Sequence, residues 1–466
     1  MSNSRQLGEE KILKLLLRFS IPAIIGMLVN ALYNVVDRIF VGNGVGSVGI
    51  AGITIAFPIM TIMMAFQMLI GIGANALVSI RLGQNRKEDA EKIIGNSVTL
   101  LIASAIGLAI VGTLFLDPIL KVFGASQEVL PYAREYIRII LWAGIFQSIG
   151  FGMNHFIRSE GNPKVAMFTM LIGAVVNTIL DPIFIFVFGW GMAGAAIATG
   201  IAQAVSAAWV LYHFLSGRSS LRLRSENLKL DLPIVKDILA LGSSHFAMQL
   251  ASSVLNVVMN ATLITYGGDI AVSGMGVVMS LNTLILMPIF GINQGAQPII
   301  GYNYGAEKYD RVKETLKLAI LGATLISTLG FIGTRLYPSQ MVAFFNSEDI
   351  ELINFGSRAL ITFMGALPII GFQIVSASYF QAVGKPKHAT TLSLSRQVLL
   401  LIPALIILPR FWGMQGALIS GPTSDIVSSI ITAVFITREM KDLGFQHEAS
   451  IRTHGLKASP LVQTRR

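Results

Sequence analysis

The sequence predicts an all-α membrane protein of about twelve transmembrane helices, arranged as two pseudo-symmetric six-helix lobes. Three observations predict it. Only 13% of the 466 residues are charged while 53% are hydrophobic, against about a quarter charged in ordinary soluble domains. Apolar runs of membrane-spanning length recur along the whole chain. The same short motifs return after a fixed spacing. With so few charges, a fold of this size cannot present a solvated surface, so lipid is its natural solvent.

The runs lie near 15–41, 50–80, 93–116, 131–157, 164–189 and 191–215, then 234–264, 270–300, 313–335, 352–383, 387–410 and 413–437. Each is close to the roughly 20 residues a helix needs to cross a bilayer. None shows the alternation of a membrane strand, so helix is the spanning form expected. The start of the chain has no small-residue cleavage site after a short apolar core, and it reads as a cytoplasmic leader into span 1. There is no cysteine, which removes disulfides, thiolate metal sites and a cysteine nucleophile.

Positive charge sets the expected topology. One side collects Arg5, Lys11, Lys14 and Arg18, then Arg81, Arg86, Lys87 and Lys92, then Arg158 and Lys164. The central segment and the second half add many more, and the opposite side holds only seven basic residues, among them Arg38, Arg134 and Arg410. This bias places both termini in the cytoplasm and the chain in the cytoplasmic (inner) membrane as a multi-pass protein. The net charge of +10 is therefore a topology signal. A nucleic-acid partner is not expected, because no basic face interleaved with aromatics forms.

The halves repeat. Asn34-Val35-Val36 and Asn256-Val257-Val258 stand 222 residues apart. So do the Gly83 and Gly305 loops, and Gly191-Met192-Ala193-Gly194-Ala195 and Gly413-Met414-Gln415-Gly416-Ala417. Gly161-Asn162-Pro163 and Gly384-Lys385-Pro386 stand 223 apart. An even number of spans per half gives both halves one orientation, a parallel repeat about an axis along the membrane normal. The expected division is an N-lobe over 1–215, a basic linker over 216–232, a C-lobe over 233–440, and a basic cytoplasmic tail over 441–466 whose composition suggests disorder.

An ionisable residue inside hydrocarbon is costly, so each asks for a reason. Two carboxylates stand out, Asp37 in span 1 and Asp181 in span 5. At 1.5 Å per residue they lie roughly 33 Å and roughly 26 Å from the cytoplasmic starts of their spans, in the outer half of the first lobe. Asn177 and Asp181 are four residues apart and share a helix face. Pro182 removes a backbone donor and can bend span 5, as Pro22 can span 1. Thr199 in span 6 reaches a similar depth, so Asp37, Asn177, Asp181 and Thr199 are expected to converge. Two carboxylates in a low-dielectric space disfavour double ionisation; such a site suits H⁺ exchange, and with the amide and hydroxyl oxygens it also suits Na⁺. The alternatives are an Asp37–Arg38 pair at the helix end and a cap by Asp181 at the proline bend.

At the 222-residue spacing these four positions face Met259, Leu399, Pro403 and Gly421. The acidic site is expected in the N-lobe alone. Asp425 and Arg396 are expected to form a structural ion pair between spans 12 and 11, while Arg158 and Glu160 should lock a loop to a helix end. His155 and His245 read as bundle residues, and the 19 methionines mostly as packing. No phosphate-binding loop and no His/carboxylate enzyme motif occurs, so an enzyme is not expected and an ion gradient is the expected energy source.

Ser20-Ile21-Pro22, Asn34 to Asp37, Val41-Gly42, Arg158 to Pro163, Asn177 to Pro182 and Gly191 to Ala195 together resemble the multidrug and toxic compound extrusion (MATE) family, over about residues 10–440. The resemblance implies two lobes in a V that export cationic, amphipathic drugs in exchange for H⁺ or Na⁺, with no other cofactor. It implies that Asp37, Asn177, Asp181 and Thr199 form the cation site, with Tyr33 and Asn34 near the substrate. Asn256 and Met259 stand where one branch carries C-lobe acids, so the chain is more similar to the DinF/MepA-like branches. A monomer is expected. The competing readings are a lipid-linked precursor flippase, which wants a basic cavity, and a non-transporting receptor or scaffold.

Overall fold

Alternating stretches of apolar helix and short polar turn leave this chain only one way to satisfy its backbone in lipid, which is to hydrogen-bond each span internally. The computed structural model, which describes residues 5–458, shows that solution throughout, with no strand among the described residues. The first six spans are α1 (Ile12–Gly44), α2 (Ser47–Gly83), α3 (Lys87–Leu114), α4 (Leu130–Ser159), α5 (Pro163–Val187) and α6 (Gly191–Leu215).

The second half is continuous over Leu232–Gly305 except at Gly268, whose φ of 64° and ψ of −160° break the helix. That break divides it into α7 (232–267) and α8 (269–305). After α9 (Tyr309–Leu336) comes α10, a span bent by 52° between Ile350–Phe363 and Leu367–Ala382. Gly413, with φ 54° and ψ −138°, divides the last stretch into α11 (386–412) and α12 (414–458). Nine apolar helices and one bent pair, with two of the nine each divided by a glycine, give twelve segments among the described residues.

The duplication is written into the backbone. Left-handed φ occurs at Gly46 and Gly268, Asn85 and Glu307, Gly161 and Gly384, and Gly191 and Gly413. Each pair keeps the spacing seen in the sequence. A side chain is strained in this region, and at three of the four pairs both halves carry glycine there. The short helices Leu116–Val122 and Pro338–Ala343 also correspond.

The lobes meet in the half of the bundle that carries the chain start and the most basic loops; this is the basic end. Backbone touches backbone there because glycines leave room. A Cβ on Gly83 would sit 2.0 Å from the Tyr302 carbonyl oxygen, and one on Gly305 would sit 2.1 Å from that of Ile80. Gly242 approaches Leu69 similarly, and Gly291 and Gly295 approach Ile24 and Ser20. The helical turn Gln6–Glu9 adds a further tie. Its Leu7 carbonyl accepts from Asn303 Nδ2 at 2.9 Å and Arg311 Nη2 at 3.1 Å, and Lys308 Nζ donates to the Gly8 carbonyl at 2.9 Å.

Residues 216–231 fold against α3. Asp231 N donates to Asn96 Oδ1 at 2.7 Å, Thr99 Oγ1 donates to the Leu228 carbonyl at 2.7 Å, and Arg224 pairs with Glu91 at 3.2 Å. At the far end, helix continues from α12 to Ala458 where composition suggests disorder from 441. The stretch has no proline before residue 460 and follows directly on a formed helix, which removes the cost of nucleation. Residues 459–466 lie outside the described residues.

Candidate functional site

The site is assembled by four N-lobe helices. Tyr33 and Asp37 stand four residues apart on α1, so one face of the helix carries both. Asn177 and Asp181 do the same on α5. Immediately after, Pro182 closes the regular α-helix and the chain passes into a π-turn over Ile183–Val187, a feature that often marks functional positions. Thr199 comes from α6 and Tyr136 from α4.

Asp181 is fully buried, and Asp37, Asn177 and Thr199 are each at most 7% exposed. Asn177 Nδ2 donates to Asp181 Oδ1 at 3.2 Å and to Thr199 Oγ1 at 3.2 Å. The Asp37 and Asp181 carboxyls are neighbours in this cluster. The four residues expected to converge are thus brought together. Asp37 is turned into the lobe rather than paired at the helix end with Arg38, which is exposed. Three oxygens of the cluster, Asp37 Oδ1, Asn177 Oδ1 and Asp181 Oδ2, have no protein partner among the described residues. Buried polar atoms are seldom left so, and three unpartnered oxygens on neighbouring residues make a cluster able to take a cation or a proton.

A cavity of about 160 Å³ adjoins the cluster, with Asn177, Thr199 and Tyr33 in its wall. Asn30, Gln67, Gln147, Asn154, Gln203 and Ser206 add a polar lining, with Met64, Met170 and Phe151 between them. Gln67 Nε2 donates to Gln147 Oε1 at 3.1 Å across the lobe. Of the two residues expected near a substrate, Tyr33 is in this wall. Asn34 is exposed, its amide donating to the Asn30 carbonyl at 2.6 Å.

Sequence reasoning missed Tyr136, which is 2% exposed and within electrostatic reach of both carboxyls. It also missed the amide side chains of the cavity wall. Their signal was present, as amides scattered in apolar spans, but only packing shows which of them face one space.

Other expectations resolve differently. Glu160 is fully buried and holds the segment after α6, accepting from Ser219 Oγ at 2.7 Å and Ser220 N at 2.8 Å. Arg158 does not share that task; its guanidinium donates to Gln294 on α8 of the other lobe. Gln294 stands between Gly291 and Gly295, which bring α8 against α1, and the long Arg158 side chain reaches it from α4. His155 is buried edge-on to Phe151. Pro22 lies inside the uninterrupted Ile12–Gly44 helix.

The MatE family model matches this chain twice, over residues 22–183 and 245–406. The chain belongs to the MatE family. The two matches also reproduce the internal repeat, one per lobe. Among curated relatives, the multidrug export protein MepA of Staphylococcus haemolyticus is 27% identical over 434 residues, which is 93% of this chain and 95% of that protein. The MATE multidrug transporter DinF-BH, whose structure is solved with a bound ligand, is 41% identical with a TM-score of 0.86, covering 92% of this chain and 96% of that one. An outward-facing multidrug resistance MATE family transporter of the MOP superfamily is 25% identical with a TM-score of 0.89, over 94% and 98%. This MatE chain is a membrane transporter of the MepA/DinF type, not an enzyme.

Proposed function

We propose that this chain is a secondary active multidrug antiporter, exporting cationic amphipathic compounds in exchange for H⁺ or Na⁺. It works as a monomer in the cytoplasmic membrane, with the basic end and both termini in the cytoplasm, as the distribution of Lys and Arg supports. The observation that carries the reading is the buried cluster of Asp37, Asn177, Asp181 and Thr199, with three oxygens that have no partner among the described residues, beside a cavity. Names of the relatives support multidrug export, and contacts between the lobes at the basic end support a cleft open to the outside.

In this mechanism Asp181 is the main coupling carboxyl and Asp37 its partner. A drug cation and the coupling ion compete for the same negative charge. Taking H⁺ or Na⁺ from outside neutralises the cluster and weakens the hold on a bound cation, which leaves to the exterior. Losing the ion toward the cytoplasm restores the charge and the affinity. Charge at Asp37 also acts on α1, where Pro22 supplies a place for the helix to bend.

Ethidium efflux from proteoliposomes, with a pH gradient and a Na⁺ gradient imposed separately, tests this. Export driven by either gradient and abolished by Asp181→Asn is the expected result. No movement of the dye under either gradient, or full gradient-driven export by Asp181→Asn, overturns it.

A further inference from the structure

In mid-span the C-lobe carries an ion pair, Arg396 with Asp425, that the coupling chemistry leaves unused. Arg396 Nε donates to Asp425 Oδ1 at 2.5 Å. Arg396 lies ten residues past Pro386 and Asp425 twelve past Gly413, so both sit roughly 15–18 Å into their spans. That is the middle of a hydrocarbon layer about 30 Å thick, the costliest place for charge.

The internal repeat tells what this place is. Across 222 residues Asp425 corresponds to Gln203, Ser428 to Ser206, and Ser252 to Asn30. Arg396 corresponds to Ala174, or to Gly173 at the 223-residue spacing. Every one of those N-lobe residues lines the N-lobe cavity. The pair therefore stands where, in the other lobe, the wall of the cavity stands. Arg396 is also on a π-turn, Ser395–Leu401.

The pairing itself is incomplete. A guanidinium meeting a carboxylate to cross-link two helices does so best with two parallel bonds. Here the single bond uses Nε. The outer edge, with both terminal amines, has no other partner among the described residues, and 23% of the Arg396 side chain is accessible. Asp425 holds the arginine in place and leaves its fork free. Such a fork fits a carboxylate or phosphate oxygen pair.

We propose that Arg396, oriented by Asp425, is an anion-recognition point in the C-lobe that receives the carboxylate of zwitterionic amphipathic substrates. The inference rests on the export reading for the class of ligand, and it extends that class. The acidic N-lobe would take the cationic end and Arg396 the anionic end, so the cleft discriminates by dipole as well as by charge.

The test uses the full chain in detergent micelles and two rhodamine dyes that differ only in an ester or a free carboxylate. Binding is followed by fluorescence anisotropy. The unsubstituted chain should bind both dyes. In Arg396→Gln/Asp425→Asn, which removes both charges together, affinity for the free acid should fall at least about tenfold, the scale of one charge-assisted hydrogen bond. Affinity for the ester should hold. Arg396→Lys, which keeps the charge but loses the fork, should also weaken the acid selectively, and it stands in if the double variant does not fold. Equal losses for both dyes, no loss for the acid, or no binding of the acid by the unsubstituted chain overturns the inference. Displacement of the acid by phosphatidylglycerol but not by phosphatidylcholine also overturns it, assigning the fork to a lipid phosphate. A chain that exports the ester but never binds the acid refutes this inference alone. Failure of ester export refutes the export reading instead.

Discussion

The two lobes share a backbone and differ in what they bury. In the N-lobe Asp37, Asn177, Asp181 and Thr199 close on one point, and three of their oxygens lack protein partners among the described residues. At the same register the C-lobe holds Met259, Leu399, Pro403 and Gly421, none of them able to bind a cation through its side chain. Left-handed backbone positions recur in both lobes, because the turns need them wherever the fold is repeated. The Asp37–Asp181 pair does not recur at its register, and the acid the C-lobe buries in mid-span, Asp425, stands elsewhere and is paired with Arg396, because an unpaired carboxylate is costly in hydrocarbon. The backbone is duplicated while the polar cluster is not.

The largest effect that sharpens the contrast is at Asp181. Asp181→Asn should reduce gradient-driven efflux to background while the folded protein still elutes as the unsubstituted chain does, read by proteoliposome transport and size-exclusion chromatography. Asp37→Asn should leave a measurable remnant, a loss on the order of tenfold, because Asp181, the main coupling carboxyl of the proposed mechanism, survives to take the ion. Retention of full export by both variants would erase the difference between the lobes.

A middle-sized effect tests the contact between them. Gly305→Ala puts a Cβ 2.1 Å from the Ile80 carbonyl oxygen, so the interface must spread; destabilisation of about 1–3 kcal/mol is expected. Thermal unfolding monitored by tryptophan fluorescence should show the lowered midpoint, and an unchanged midpoint would mean that the lobes are not held at this end.

Thr199→Ala removes one of the two acceptors of the Asn177 amide. The loss of about 1 kcal/mol should appear as a fewfold change in the ion concentration needed for half-maximal export. Smallest of all, Met259→Leu, at the C-lobe counterpart of Asp37, conserves volume and should leave export within error at a cost below about 1.5 kcal/mol. A coupling defect there would move ion chemistry into the C-lobe.

Much of the candidate site was legible because its signal is local. Asn177 and Asp181 at a helical spacing define a face, and a carboxylate in an apolar run is conspicuous whatever surrounds it. Tyr136 was not legible. A tyrosine near the outer end of a span is ordinary interfacial composition, and only the packing of α4 against α6, the helix that carries Thr199, brings it to the acids. Arg158 shows the same limit. Its sequence neighbour Glu160 does bind the adjacent segment, but the side chain of Arg158 is long enough to choose between two lobes.

By itself the sequence determined the helical class, the number of spans, the duplication and the placement of Asp37 and Asp181 in one lobe. Those follow from hydropathy, spacing and the cost of burying charge, which act residue by residue along the chain. The tertiary structure alone decided how the lobes meet, through glycines that leave room for a carbonyl where a Cβ would collide with it. It also decided which amides share a cavity and which edge of Arg396 is left free. Those depend on distances between residues far apart in the chain, and periodicity within a helix holds no information about its neighbour.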